Sequence, residues 1–200
     1  MKKAFTLSEV LVTLSIIGVV AVMTIPTLVQ RYKTVEYTSR AKKTYSELTN
    51  AMAEILRQGE AKRLSEVNMD ELIENSFDSF IKVVSTYNGF GYATKKLNED
   101  SYTIEVDKVY LLPDGAMFGI KKKADGDPGY KLVVDVNGKK EPNTIGRDIF
   151  FYWIKENGTI DANKSANGSS GSSSVSDCTE DGAGFTCAQT IMEDGWEMNY

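Results

Sequence analysis

The sequence predicts an α+β fold in which a long amino-terminal helix, apolar in its first half and amphipathic in its second, packs on an antiparallel β-sheet. Three observations carry this. Residues 5–29 form an apolar run with a single charge, Glu9. Residues 30–58 contain neither glycine nor proline and repeat apolar side chains at helical spacing. From Tyr102 onward the apolar period shortens to two, and glycine-containing turns separate the alternating runs.

The apolar run is long enough for a bilayer, whose hydrocarbon core takes roughly 20 residues of helix. It exceeds the core of an ordinary secretory signal, about 7–15 residues, and no Ala-x-Ala pattern closes it. A retained anchor is therefore expected at 5–29, behind four residues reading Met-Lys-Lys-Ala. Lys2 and Lys3 precede the span, whereas Arg31, Lys33, Arg40, Lys42 and Lys43 follow it. Taken alone, this distribution leans against a cytoplasmic amino terminus.

Beyond the anchor, Ala41, Tyr45, Leu48, Met52 and Ile55 recur at spacings of four and three and make one stripe. Gly59 supplies a stop. One helix of about 54 residues is expected, its amphipathic half lying at 30–59. Pro26 falls inside it, removes one backbone hydrogen bond, and predicts a kink or local melting. Gly18 reads either as simple tolerance or as a point of close helix packing.

Residues 60–200 form the globular head. Residues 64–88 are expected as short helices, with Leu64, Val67, Leu72 and Ile73 on one face and Phe77, Phe80, Ile81 and Val84 on another. Residues 102–106 alternate as a strand. Residues 109–112 and 116–120 flank Pro113-Asp114-Gly115, a strong turn. Tyr130, Leu132, Val134 and Val136 alternate with polar residues, and 149–154 leads through Asn157-Gly158 to a last hairpin. Residues 163–176 are rich in Ser, Gly and Asn and read as a surface loop.

Cys178 and Cys187, with eight residues between them, are the only cysteines. Beyond a membrane, in an oxidising compartment, a disulfide closing the loop 178–187 is expected. Two reduced thiols or a weak metal pair are the alternatives. Trp196 and Tyr200 read as anchors for the end of the chain. The oxygen-rich stretch from Asp135 to Asp148 would suit calcium, but turn formation by Asx side chains accounts for the same residues. No resident cofactor is otherwise expected.

Charge and composition narrow the function. Residues 1–63 hold 10 Lys/Arg and 5 Asp/Glu, while 64–200 hold 13 and 23, so the head is acidic. An acidic head is a poor match for phosphate backbones, and no clear nucleic-acid site stands out. Histidine is absent, which removes the commonest general base and metal ligand. Gly138-Lys139-Lys140 lacks the context of a phosphate-binding loop, and Gly89-Phe90-Gly91 that of a dinucleotide fingerprint. Nothing reads as an active site, and an enzyme is not expected.

Glu9 is the odd residue, since a carboxylate one turn inside a membrane helix is costly and needs a partner. A cut between Ala4 and Phe5 would give Phe5 a free amine, which could neutralise the Glu9 of an adjacent copy. The stretch Lys2-Lys3-Ala4-Phe5-Thr6-Leu7-Ser8-Glu9-Val10-Leu11-Val12, with the apolar run and Pro26 behind it, resembles the type IV pilin-like family, which includes type II secretion pseudopilins. The resemblance implies a pilin-like fold and cleavage between Ala4 and Phe5 by a prepilin peptidase. It further implies N-methylation of Phe5, with Glu9 and Pro26 serving assembly through the helix. Ala4 stands where that family usually has glycine, and Ser8 where it usually has an apolar residue.

The resemblance also implies partners: the inner-membrane assembly machinery, the lipid bilayer and other subunits of a homo- or hetero-polymer. It implies a single pass through the inner membrane with the head in the periplasm or outside, and later residence in a fibre. A carboxy-terminal disulfide between Cys178 and Cys187 agrees with that placement. A membrane-anchored binding or adhesion protein that never polymerises is the alternative.

Overall fold

The computed structural model describes residues 5–122, 129–162 and 177–200. The expected leader at 1–4 and the Ser/Gly-rich loop at 163–176 lie outside the described residues. Helix α1 spans Leu7–Gln58 and α2 spans Met69–Asn75. Strands β1 (Ser85–Tyr87), β2 (Thr94–Lys95), β3 (Ser101–Tyr102), β4 (Lys108–Leu111), β5 (Met117–Lys122), β6 (Gly129–Asp135), β7 (Ile149–Lys155) and β8 (Ile160–Asp161) follow, and α3 (Cys187–Glu193) comes last. The chain divides into two compact units, Met1–Glu36 and Tyr37–Tyr200.

In the first unit, α1 carries almost no buried side chains. Its apolar residues are exposed, Leu7 at 77% and Val22 at 75% among them. Burial gives these residues no stability within the chain, and β-branched residues dominate 7–29, so the helix here rests on its backbone ladder rather than on side-chain packing or propensity. Thr13, Ser15 and Thr24 donate their hydroxyls to the carbonyls of Val10, Leu11 and Val20. Their polar atoms are thereby satisfied by the helix's own backbone, as an apolar environment requires. The helix continues through Pro26. Local melting is not what the structure has: the turns on both sides keep their ladders, so one missing bond leaves the helix unbroken.

In the second unit, the sheet order is β1-β4-β5-β6-β7-β8, antiparallel throughout. Its central strands are buried on both faces, so apolar residues run along β6 and β7 with little polar interruption. Register sets the layers: Tyr110 pairs with Phe118, Phe118 with Val134, and Val134 with Phe150. These side chains, with Ile120, Leu132, Tyr152 and Ile154, share one core with Ala41, Leu48, Met52 and Ile55 of α1. The helical stripe read from spacing is thus the surface that meets the sheet. Tyr45 belongs to the same stripe and lies 5.7 Å from Tyr152 and 5.4 Å from Trp196, ring to ring.

The opposite face holds Val109, Met117, Val133, Ile149 and Phe151, covered by Phe90, Ile104 and neighbours. Gly119 makes this cover possible, because a Cβ there would stand 2.9 Å from Val106 and 3.1 Å from Phe90. Two expectations change here. Residues 85–87, read as the end of a helical stretch, form the edge strand β1 against β4. Residues 102–106, read as a strand, contribute only Tyr102 to a two-residue pairing with β2. Ile104 and Val106 alternate because an extended cover segment turns every second side chain toward the sheet.

Cys178 and Cys187 form a disulfide, with Cα atoms 5.0 Å apart. Their pair packs with Leu97 in a small satellite core. The tail returns to the sheet: Trp196, Met198 and Tyr200 pack on the main core, and the Tyr200 hydroxyl donates to the Gly146 carbonyl at 2.6 Å.

Candidate functional site

The first turn of α1 gathers the polar groups of the apolar segment. Since α1 starts at Leu7, Thr6 stands at its N-cap and Glu9 at its third helical position. The Glu9 N–H donates to Thr6 Oγ1 at 3.3 Å, and the Thr6 N–H donates to Glu9 Oε2 at 2.8 Å. Thr6 Oγ1 also donates to Glu9 Oε2, at 2.7 Å. This reciprocal arrangement is a capping box, which satisfies backbone donors that have no partner inside the helix. The carboxylate also sits at the positive end of the helix dipole. Both bonds it accepts fall on Oε2; Oε1 takes none among the described residues.

Phe5, immediately outside the cap, is exposed and lies four positions before Glu9. Ala4, on the other side of the bond assigned to cleavage, lies outside the described residues. Pro26 is exposed and more than four turns further along the same helix. Phe5 thus directly precedes the capping residue in the chain, while Pro26 lies far along the helix from the capped carboxylate. Sequence reasoning missed Thr6, although the pattern Thr6-x-x-Glu9 before an apolar run is a recognisable capping signature.

The head has its own concentration of perturbed groups. Asp135 and Asp148 are fully buried. Asp135 Oδ1 accepts from the N–H groups of Asn137 and Gly138 at 3.1 and 2.7 Å, and Oδ2 from the Tyr92 hydroxyl. Asp148 accepts from the N–H groups of Asn143 and Thr144 at 2.9 and 2.7 Å. Burial pushes the Asp135 carboxyl up to about 8, and the charge of Asp148 adds to that. Burial likewise pushes Asp148 up to about 6, against the pull of its backbone donors. Desolvation, with Asp135 beside it, raises the Tyr92 hydroxyl as well. These carboxylates clasp the loop between β6 and β7 through backbone donors, the Asx-turn role. Among the described residues no group of three or more His, Cys, Asp or Glu is placed to hold a metal ion.

The family model for the prokaryotic N-terminal methylation motif matches residues 1–25 of the chain. That motif is the signature of type IV pilins and pseudopilins. Comparison with curated proteins and with solved structures gave no match. The chain thus carries a pilin-type processing motif on an α+β architecture of long apolar helix and antiparallel sheet. Helix α1 is long and apolar enough to cross a membrane, which fits a membrane-anchored protein of this type.

Proposed function

We propose that the chain is a structural subunit of a type IV pilus or type II secretion pseudopilus. In this reading a prepilin peptidase cuts between Ala4 and Phe5, and the new amine of Phe5 is methylated. The mature protein waits in the inner membrane through residues 5–29, with its head on the outer side. Assembly machinery then transfers it into a polymer, where contacts with lipid are exchanged for contacts between α1 helices. The protein acts by packing and charge matching, and needs no catalytic group.

The observation that carries the reading is an exposed apolar helix holding one carboxylate four residues from the end that cleavage would create, within a matched methylation motif. A charged group in hydrocarbon is tolerated when an opposite charge meets it. In a stack of identical helices, the Phe5 amine of one copy supplies that charge to the Glu9 of another.

Mass spectrometry of the mature protein from its host tests the processing. The expected mass lacks residues 1–4 and carries one added methyl group. An intact leader on membrane-resident protein would favour a plain anchor instead.

A further inference from the structure

Glu9 is held by its own helix before any second copy arrives, and the way it is held is asymmetric. Oε2 accepts from the Thr6 N–H and the Thr6 hydroxyl, at 2.8 and 2.7 Å. Oε1 accepts nothing among the described residues, although an ionised carboxylate offers about two acceptor sites on each oxygen. Cleavage between Ala4 and Phe5 leaves these bonds possible, since the Thr6 N–H belongs to the next peptide bond along. A long, flexible glutamate side chain would otherwise sample several rotamers at the membrane surface, and fixing it costs conformational entropy.

We propose that Thr6 is a positioning residue for assembly: it pins Oε2 of Glu9 through the capping box and leaves Oε1 presented to the amine of a second copy. This rests on the assembly reading above. The capped carboxylate pre-organises one half of the intersubunit pair, so that docking fixes fewer rotamers. It also lowers the cost of carrying the charge in an apolar setting until the second half arrives.

Thr6→Val and Thr6→Ser separate the cap from the shape of the side chain. Valine keeps the volume and branching of threonine and removes the hydroxyl; serine keeps the hydroxyl. With full-length protein expressed in its host, both variants are expected to be cleaved and methylated as wild type by mass spectrometry. Incorporation into sheared polymer is expected to fall about tenfold in Thr6→Val, the equilibrium factor of one lost cap, and to be restored in Thr6→Ser. Glu9→Ala serves as the control for the parent reading.

Wild-type incorporation of Thr6→Val beside loss in Glu9→Ala would overturn the positioning role and leave the assembly reading standing. Equal loss in both Thr6 variants would overturn it too, since the hydroxyl would not be the cause. Accumulation of uncleaved Thr6→Val would assign Thr6 to peptidase recognition instead. Full incorporation of Glu9→Ala would sink the parent reading itself.

Discussion

Glu9 and Asp135 are carboxylates placed among apolar residues, and the chain meets their electrostatic demands in opposite ways. Asp135 is sealed in the head, where two backbone N–H groups and the Tyr92 hydroxyl occupy its oxygens. Glu9 is exposed on the first half of α1, whose side chains are almost all exposed, and among the described residues only one of its oxygens is engaged. A carboxylate whose partners all come from its own fold organises that fold. One left half-satisfied on an apolar surface calls for a partner from outside, and the physical chemistry of the two sites thereby separates scaffold from handle.

The contrast is broken most severely at Glu9. Glu9→Gln keeps an acceptor and much of the cap but removes the charge, and polymer recovery is expected to fall about a hundredfold or more, the scale of unpairing a buried ion pair. Folding of the head should not change, as read by circular dichroism in detergent. Full polymer yield from this variant would erase the distinction between the two sites.

The two halves of α1 differ in the same sense. Leu48 is fully buried against the sheet, whereas Leu14 is 59% exposed. Leu48→Ala is expected to cost about 2–5 kcal/mol of head stability, measured by denaturant unfolding in detergent. Leu14→Ala is expected to stay within about 0.5 kcal/mol in the same assay. Similar costs at both positions would mean that the first half of the helix is buried by its own chain.

The buried acids give the head a pH signature. Asp135 and Asp148 have folded-state values raised to about 8 and about 6 from an ordinary 3.8. The folded state therefore binds protons more tightly than the unfolded chain. Their contribution is most favourable below the ordinary carboxylate value and is lost as pH rises through about 6 and then about 8. Stability should drop by several kcal/mol, about 1.4 kcal/mol for each pH unit over which a folded-state proton is retained, between roughly pH 5 and pH 8. Asp135→Asn, which can still accept the N–H bonds, should flatten the curve. Asp70, held low by its hydrogen bond to Lys122, and Glu105, held low by Lys121, act with the opposite sign. The difference between wild type and Asp135→Asn isolates the buried site from them.

A similarly small effect belongs to the surface of the head. Lys43 lies 2.5 Å from Asp114, where burial raises the carboxyl but the lysine and the Ala116 N–H more than offset it, leaving it lowered. Lys43 itself is half exposed, so Lys43→Ala is expected to cost under about 1 kcal/mol by the same unfolding measurement.

Periodicity made the helical stripe and the strands β4 to β7 legible, because each buries a face whose spacing the backbone dictates. The β4–β5 turn was readable from Pro113-Asp114-Gly115 alone. Strand β1 was not: Ser85, Thr86 and Tyr87 are partly or fully exposed, and an edge strand held mainly by backbone pairing leaves no hydrophobic alternation. Ile104 and Val106 mislead for the converse reason, since an extended cover segment has the period of a strand without its partners. The seven-residue α3 is too short to show a helical repeat. Tyr92 and Asp135 are 43 residues apart, and no local pattern announces a contact of that separation. At the amino terminus the motif and the long apolar helix were legible because both are local; the Thr6 cap is as local, yet was missed. What this end leaves open is the second copy, which no single chain contains.

The most direct measurement joins differently labelled copies. Polymer assembled from a mixture of light and heavy-isotope subunits would be treated with a zero-length carbodiimide, digested, and searched for a link between the Phe5 amine and the Glu9 carboxylate. The account predicts links that combine a light and a heavy peptide in the proportion expected for random neighbours. Links confined to single-isotope pairs, or a Phe5–Glu9 link missing from polymer whose other carboxylates react, would contradict it.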